Sequence, residues 1–227
     1  TVEFIDECLE ELPHDPRYFT TSVAVTDLEA ARVALGYTSL NLYGVSYGSR
    51  VAQHFARRYP ESTRTVVIDG VVPPQISLGP EIATESQRAV DNILARCAAD
   101  AACSESFPDI EATFRRVVAE LRESPVQVLV PHPNTGRIEE VAFGAGQLAG
   151  AVRLLAYNPN TIALLPLMIH EAGEGNFVPL TSQFMLTAVA MSDSLALGMH
   201  NAIMCTEDMP FVDPAGVDHE AIEASYM

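Results

Sequence analysis

The sequence predicts an α/β fold, and three segments near its start indicate it. Residues 39–45 form a short apolar run typical of a strand, and residues 65–70 form a second run, continuous and β-branched, as in a buried parallel strand. Between them, residues 47–58 have the apolar spacing of an amphipathic helix that ends at Tyr59-Pro60. Two strands separated by a helix favour a parallel α/β sheet.

Two helices are expected before the first strand. Residues 21–35 show helical apolar spacing, with Thr20 or Thr21 as the hydroxyl cap and Gly36 as the C-terminal stop. A shorter helix is expected over residues 4–12, where a proline follows. The later of these helices leads directly into the first strand.

A serine motif joins the first strand to its helix. The sequence Gly44-Val45-Ser46-Tyr47-Gly48 has the G-x-S-x-G form, which places the serine at a sharp, strained turn with its hydroxyl clear of the sheet. Such a turn leaves room only for small residues two positions either side, which Gly44 and Gly48 provide. We therefore expect the strand, elbow and helix of an α/β-hydrolase, with Ser46 as nucleophile in a positive-φ turn and the Tyr47 backbone N–H as an oxyanion donor. A plain loop serine is the alternative.

Composition limits the classes of partner. The chain has 227 residues, 48% of them hydrophobic, which suffices for a substantial core. Thirteen Lys and Arg against 30 Asp and Glu give a net charge of −17, which repels phosphate backbones and anionic lipid. We expect no nucleic-acid partner, and no run approaches the roughly 20 apolar residues of a membrane span. The charge suits a cationic substrate group such as a free α-amine, with solubility as the alternative explanation.

The pattern of the chain changes after residue 73, where the βα alternation stops. The segment that follows predicts helices and one strand–turn–strand unit, as in a cap over the nucleophile. The predicted helices cover residues 81–98, 109–122, 146–157, 161–173 and 177–191, and the strands cover residues 126–130 and 137–143. We divide the chain into an α/β-hydrolase core segment (1–73), a mostly helical cap (74–210) and a return segment (211–227).

The four cysteines allow two interpretations. Cys97 and Cys103 have a spacing that a local disulfide can close, and they lack the C-x-x-C form of a zinc site. An oxidised pair would indicate an exported protein, whereas buried free thiols in a cytosolic protein would explain the same residues. No metal and no cofactor is expected.

The partners that a serine nucleophile needs are missing from the sequence. In α/β-hydrolases an acid and then a histidine base follow the serine. His14 precedes Ser46, and His54 lies about 12 Å along the helix from it. The remaining histidines, where surface or core positions are the commoner explanation, are His132, His170, His200 and His219. The chain also lacks a His-Gly-Gly loop for the second oxyanion donor, so Ser46 has no identifiable base, acid or oxyanion loop in this sequence.

Several segments resemble the tripeptidyl aminopeptidase and prolyl aminopeptidase family of serine exopeptidases. They are Cys8, Thr20-Thr21, Asp27-Leu28, Ala34–Tyr37, Asn41–Ser49, Tyr59-Pro60, Ile68–Val71 and Ala202–Asp208. The resemblance implies a helical cap on an α/β-hydrolase and release of short peptides or proline from a free N-terminus through an acyl-enzyme. Members place a Gly-rich HGGPG-like loop upstream and the catalytic Asp and His downstream of the region seen here. The resemblance therefore implies that the catalytic Asp and His lie outside this chain, which looks like a fragment.

The resemblance also implies roles for particular residues. Glu207, with Asp208 as a second, resembles the acidic pair that binds the substrate's α-ammonium group. Relatives are often exported, which favours a secreted or periplasmic protein and a Cys97–Cys103 disulfide between two cap helices; Cys8 and Cys205 could form the other pair. An esterase-type α/β-hydrolase and a non-catalytic binding homologue remain as alternatives. The oligomeric state is unknown.

Overall fold

The chain folds into two units. The computed structural model describes residue 7, residues 9–79 and residues 81–226. Contacts within the chain divide it into a first unit, Thr1–Gly79 with Ala196–Gly216, and a second unit, Pro80–Leu195 with Val217–Met227.

These boundaries differ from those expected after residues 73 and 210. The segment at 196–210, assigned to the cap from sequence order, belongs to the first unit, and the return segment from residue 217 onward belongs to the second. The reason is long-range hydrogen bonding, because Glu207 bonds Thr21 and the Tyr226 N–H bonds Gln87.

Two expectations involve residues near the start of the chain. Of the helix expected over residues 4–12, residues 7 and 9–11 are described and are helical. Cys8 lies outside the described residues, so the Cys8–Cys205 pair stays a prediction. Cys205 is exposed and forms no disulfide with another described cysteine.

The first unit begins its regular structure with helix α1, Thr21–Ala34. Thr20 caps it by accepting a hydrogen bond from the N–H of Val23 at 3.3 Å, and Gly36 follows it at φ +73°. Both ends agree with the sequence prediction, since a hydroxyl cap and a left-handed glycine are local signals.

The sheet of the first unit is parallel, as predicted. Strand β1, Leu40–Val45, pairs with strand β2, Thr63–Asp69, and helix α2, Tyr47–Arg58, connects them. Val45 lies opposite Asp69, so both strands end at the same edge, next to Ser46.

Burial of the sheet differs from the expectation. Strand β2 has an apolar sequence that predicts a buried strand, yet its residues from Arg64 to Asp69 are exposed, with Val67 56% exposed. In β1 buried and exposed residues alternate, because one face of the strand packs against α2 and the other does not. The cluster under α2 consists of Val25, Leu42, Ala52 and Phe55. An apolar run therefore predicted the strand correctly and its burial wrongly.

The second unit is mostly helical, with one antiparallel hairpin, as predicted. Its helices are α3 (Ile82–Ala99), α4 (Ala101–Ser106), α5 (Ile110–Glu123), α6 (Ala145–Leu155), α7 (Pro159–Ile162), α8 (Leu165–Gly173), α9 (Val178–Ser194) and, after the first unit's α10 (Leu197–Ile203), α11 (His219–Ala224). The hairpin consists of β3, Val126–Pro131, and β4, Ile138–Phe143. None of the helices that the structure describes is long and apolar enough to cross a membrane.

A disulfide joins Cys97 to Cys103, as predicted. The two Cα atoms lie 5.1 Å apart. No helix was predicted over residues 99–108, but α4 begins there at Ala101, because the Asp100 carboxylate accepts a hydrogen bond from the Cys103 N–H at 2.9 Å and caps that helix. The bond therefore links α3 to α4 and not to the helix that starts at Ile110.

The segment at residues 196–216 has an unusual backbone. Helix α10 continues into a π-helical turn, Met204–Asp208, and then into 3₁₀ turns at Met209–Phe211 and Pro214–Gly216. A π-helical turn is rare and often lies at a functional site, since its extra residue per turn redirects the side chains around it.

Candidate active site

Ser46 lies in the turn between β1 and α2. Its φ is 53° and its ψ is −124°, a conformation that costs free energy for a residue with a side chain. The positive φ predicted for Ser46 is therefore confirmed. The Ser46 N–H donates to the carbonyl of Asp69 at 2.9 Å, and its side chain is exposed. The turn thus presents the hydroxyl at the end of the sheet.

Only one of the two motif glycines is needed for space. A Cβ atom at Gly44 would collide with the carbonyl of Gly48 and would come within 2.8 Å of the Ser49 nitrogen. A Cβ atom at Gly48 would meet nothing within 4 Å. The expected need for a small residue on both sides is therefore wrong for Gly48, because the close approach joins the Gly44 Cα to the backbone of Gly48.

Ser49 holds the turn from beneath. Its buried hydroxyl donates to the carbonyl of Ser46 at 2.6 Å and accepts from the N–H of Val72 at 2.8 Å. The amide of Gln53 donates to the carbonyls of Ser49 and Val72 at 3.0 and 3.2 Å. These bonds fasten the serine turn to the segment that follows β2.

The first residue of α2 offers a free donor next to Ser46. Helix N-termini leave their first N–H groups without helical partners. Within the part of the chain that the structure describes, neither the Tyr47 N–H nor the Ser46 hydroxyl has a hydrogen-bond partner. An anionic oxygen next to the serine would therefore meet a helix N-terminus, where negative charge is stabilised.

No described histidine is hydrogen-bonded to Ser46. His54 is half-buried on α2, with its Nε2 3.4 Å from the Ser22 hydroxyl. Burial lowers the pKa of His54, and the nearby Arg57 lowers it further. The other histidines lie in an exposed segment (His14), the hairpin turn (His132), α8 against Phe107 (His170), α10 (His200) and the first position of α11 (His219).

Glu207 is connected to the serine turn through Thr21. Its Oε1 accepts from the Thr21 N–H and its Oε2 from the Thr21 hydroxyl, both at 2.6 Å. The Thr21 Oγ1 lies 2.7 Å from the phenol oxygen of Tyr47. Burial raises the pKa of Tyr47. Thr21 thus connects Tyr47 with Glu207, two residues that the sequence analysis named and that lie far apart in the chain.

Asp208 lies in a different environment. It is fully buried, and its carboxylate accepts from Arg50 Nη1 at 3.0 and 3.1 Å and from the Leu78 N–H at 3.0 Å. The Arg50 Nη2 also donates to the carbonyl of Ile76 at 2.8 Å. As placed, Asp208 balances a buried guanidinium and has no open face for an ammonium group, whereas the role expected for Glu207 stays a prediction.

The sequence interpretation missed Thr21 and Arg50 as site residues. Thr21 was predicted as a possible helix cap and lies in a segment that resembles the family, but neither observation indicated its contact with Glu207. Arg50 is buried on α2, but it precedes Ala52 by two residues and Phe55 by five, so it does not share their face of the helix. The spacing therefore did not reveal that Arg50 is buried and needs an acidic partner.

The described residues contain no group of three or more His, Cys, Asp or Glu side chains placed to hold a metal ion.

Part of the chain matches a known family. Residues 10–121, just under half of the chain, match the family model of the α/β hydrolase fold. The fold of this matched region is therefore that of an α/β-hydrolase.

Several relatives are named as peptidases. The serine protease Hip1 of Mycobacterium tuberculosis is 33% identical over 107 residues, which are 45% of this chain and 21% of that protein. The tripeptidyl aminopeptidase of Streptomyces lividans is 35% identical over 72 residues, 32% of this chain and 13% of that protein. The proline iminopeptidase of Xylella fastidiosa is 42% identical over 52 residues, 23% of this chain and 17% of that protein. The matched segments thus span about a fifth or less of these relatives.

Proposed function

We propose that this chain carries the nucleophile of a serine aminopeptidase, which releases short peptides or proline from free N-termini through an acyl-enzyme. The observation that carries the proposal is the turn at Ser46, with its positive φ and its exposed hydroxyl. A nucleophile elbow has this geometry. Peptidase-named relatives support the substrate class, and the Cys97–Cys103 disulfide supports a secreted or periplasmic location.

The proposed reaction begins at Ser46. Its Oγ attacks the scissile carbonyl carbon, its proton passes to a base, and the carbonyl oxygen becomes an oxyanion that the Tyr47 N–H stabilises. The C–N bond then breaks, the amine leaves with that proton, and the acyl group stays on Ser46. A water molecule releases it by the same steps. We place the base and its orienting acid outside residues 1–227.

The proposed substrate anchor is the Glu207 carboxylate. It is half-buried and belongs to the same unit as Ser46, and Thr21 holds it by two hydrogen bonds. A carboxylate in this state attracts the ammonium group of a peptide N-terminus and gives no such advantage to a substrate whose amine is blocked.

The test compares serine variants in the polypeptide encoded by the complete reading frame that contains this chain. Ser46→Ala is expected to lower kcat for peptidyl anilides by about 10⁶-fold, as loss of a triad serine does elsewhere. Ser22→Ala is the matched control, because the Ser22 hydroxyl lies 3.4 Å from a histidine nitrogen, His54 Nε2, but Ser22 is not in the G-x-S-x-G turn. Turnover that survives Ser46→Ala, or is lost in Ser22→Ala, would reject Ser46 as nucleophile.

A second test uses the 227-residue chain alone. We expect no measurable turnover of peptidyl anilides, since no histidine among the described residues contacts Ser46 and loss of the base costs on the order of 10⁶-fold in kcat. Hydrolysis by this chain that depends on Ser46 would show that the base lies within it, with His200 and His219 as the first residues to mutate. Preference for a blocked ester over free-amine peptides would instead favour the esterase class.

A further inference from the structure

We propose that Thr21 and the Tyr47 phenol are positioning residues that hold Glu207 in place for the substrate's α-ammonium group. This inference rests on the proposed aminopeptidase function and identifies the parts of the amine site that the sequence did not reveal. It concerns side chains that do not themselves need to touch the substrate.

Thr21 holds Glu207 at two points. Thr21 is the first residue of α1 and is buried. Its N–H and its hydroxyl each donate to a different oxygen of Glu207 at 2.6 Å, which fixes both the position and the plane of the carboxylate. The N-terminus of α1 adds a favourable interaction with the negative charge.

The hydrogen bonds among Tyr47, Thr21 and Glu207 have a defined direction. An ionised carboxylate only accepts hydrogen bonds, so the single hydroxyl proton of Thr21 is committed to Glu207. The 2.7 Å contact between Thr21 Oγ1 and the Tyr47 phenol therefore has Tyr47 as its donor. The raised pKa of Tyr47, caused by its burial, agrees with a protonated phenol. The chain of bonds runs from Tyr47 through Thr21 to Glu207.

Glu207 keeps acceptor positions that Thr21 does not occupy. Each carboxylate oxygen has two acceptor positions, and Thr21 occupies one on each. Because Glu207 is only half-buried, the remaining positions can meet an ammonium group, which has three donors. Asp208 differs, because Arg50 and Leu78 donate to its carboxylate and the residue is fully buried.

Tyr47 connects the Glu207 carboxylate with the proposed reaction. Tyr47 contributes its backbone N–H as the proposed oxyanion donor and its phenol to the bonds that reach Glu207. Two hydrogen bonds therefore connect the proposed amine anchor with the proposed oxyanion site. Since small errors in position cost large factors in rate, loosening Thr21 should affect a substrate held at its amine much more than one that is not.

The experiment measures kcat and KM for Thr21→Val in the polypeptide of the complete reading frame. The substrates are a peptidyl anilide with a free N-terminus and an ester that lacks an amine. We expect a KM increase of about tenfold for the free-amine substrate, the usual effect of losing a hydrogen bond to a charged group, and at most about twofold for the ester. Thr21→Ser keeps the hydroxyl and should restore the KM to within about threefold of the wild type. Thr26→Val is the matched control, because the Thr26 hydroxyl donates to the carbonyl of Ser22 on the same helix and has no other hydrogen bond to a described residue.

Glu207→Gln separates this inference from the function on which it rests. If Glu207→Gln impairs the free-amine substrate selectively but Thr21→Val impairs both substrates equally, Thr21 only stabilises the helix and the positioning role is wrong. If Glu207→Gln also affects both substrates equally, the amine site itself is wrong. Should Thr21→Val fail to fold, Tyr47→Phe decides the question. It removes only the phenol oxygen and should raise the free-amine KM about threefold relative to the ester, whereas equal effects would overturn the proposal.

Discussion

The two units of this protein bury different kinds of side chain. The second unit has a continuous apolar core that includes Phe114, Phe143 and Leu180. The first unit has a much smaller apolar cluster among its described residues, while Arg50 and Asp208 lie buried as an ion pair within it. Apolar contacts stabilise without direction, whereas hydrogen bonds and ion pairs fix distances and angles. Among the described residues, the second unit is therefore held mainly by apolar contacts, whereas in the first unit a buried ion pair fixes distances beside a small apolar cluster.

The largest expected effects come from removing one buried member from each unit. Asp208→Asn leaves the buried Arg50 guanidinium uncompensated and should destabilise the first unit by about 3–5 kcal/mol. Phe114→Ala should destabilise the second unit by a similar amount, about 3–5 kcal/mol, through cavity formation. Amide hydrogen exchange, followed by mass spectrometry, assigns each loss to its unit. A loss below about 1 kcal/mol for Asp208→Asn would show that the buried ion pair does not stabilise the first unit in the way that apolar contacts stabilise the second.

The next effect separates the two motif glycines. Gly44→Ala forces its Cβ onto the backbone of Gly48 and should cost about 3 kcal/mol, the upper part of the range for overpacking. Gly48→Ala is the control, because its Cβ has open space and alanine is the better helix former by up to about 1 kcal/mol. Urea unfolding of the two variants gives the difference directly. Equal destabilisation would mean that the approach at Gly44 does not constrain the turn.

The elements around Ser46 are predictable because their signals are local. The sequence predicts α1, β1, α2 and β2 to within two residues of their observed ends, from hydroxyl caps, apolar spacing and the glycine-flanked serine. It misplaces the burial of β2, since an apolar run reveals a strand but not what covers its faces. It also misses α4, which depends on a single aspartate cap within an expected loop.

A smaller effect is expected at the disulfide of the second unit. Cys97 and Cys103 close a loop with a sequence separation of 6, and the chain-entropy relation gives about 2 kcal/mol for a loop of that size. Reduction, or the Cys97→Ala/Cys103→Ala double variant, should therefore lower the free energy of unfolding of the second unit by about 2 kcal/mol. Exchange of amides in α1 and α2 should not change. Faster exchange there on reduction would show that the two units are not independent in stability.

The polar contacts of the site are not predictable in the same way. Thr21 and Glu207 are 186 residues apart in sequence, and Arg50 and Asp208 are 158 apart. No periodicity or spacing rule pairs residues across such distances. The family resemblance pointed to Glu207 and Asp208 together, and only the fold separates the half-buried carboxylate from the one bound to Arg50.

The smallest expected effect is a pH dependence at His54 in the first unit. Its pKa in the folded chain is below the ordinary 6.5, chiefly because of burial. The unfolded chain therefore takes up the proton at higher pH, and stability should fall as the pH drops below about 6.5. His54→Gln should reduce this slope between pH 7 and pH 5. The change should be slight, because His54 is partly exposed, and an unchanged or steeper slope would contradict the assigned direction.

The site of covalent labelling by a fluorophosphonate probe tests most directly whether Ser46 is the nucleophile. The polypeptide of the complete reading frame is labelled, digested and mapped by mass spectrometry, alongside its Ser46→Ala variant and the 227-residue chain. Because only an activated serine reacts, we predict one adduct, on the peptide that contains Ser46, in the complete polypeptide, and negligible labelling of the other two. An adduct on another serine, with Ser46 unmodified, would contradict the assignment of Ser46 as the nucleophile.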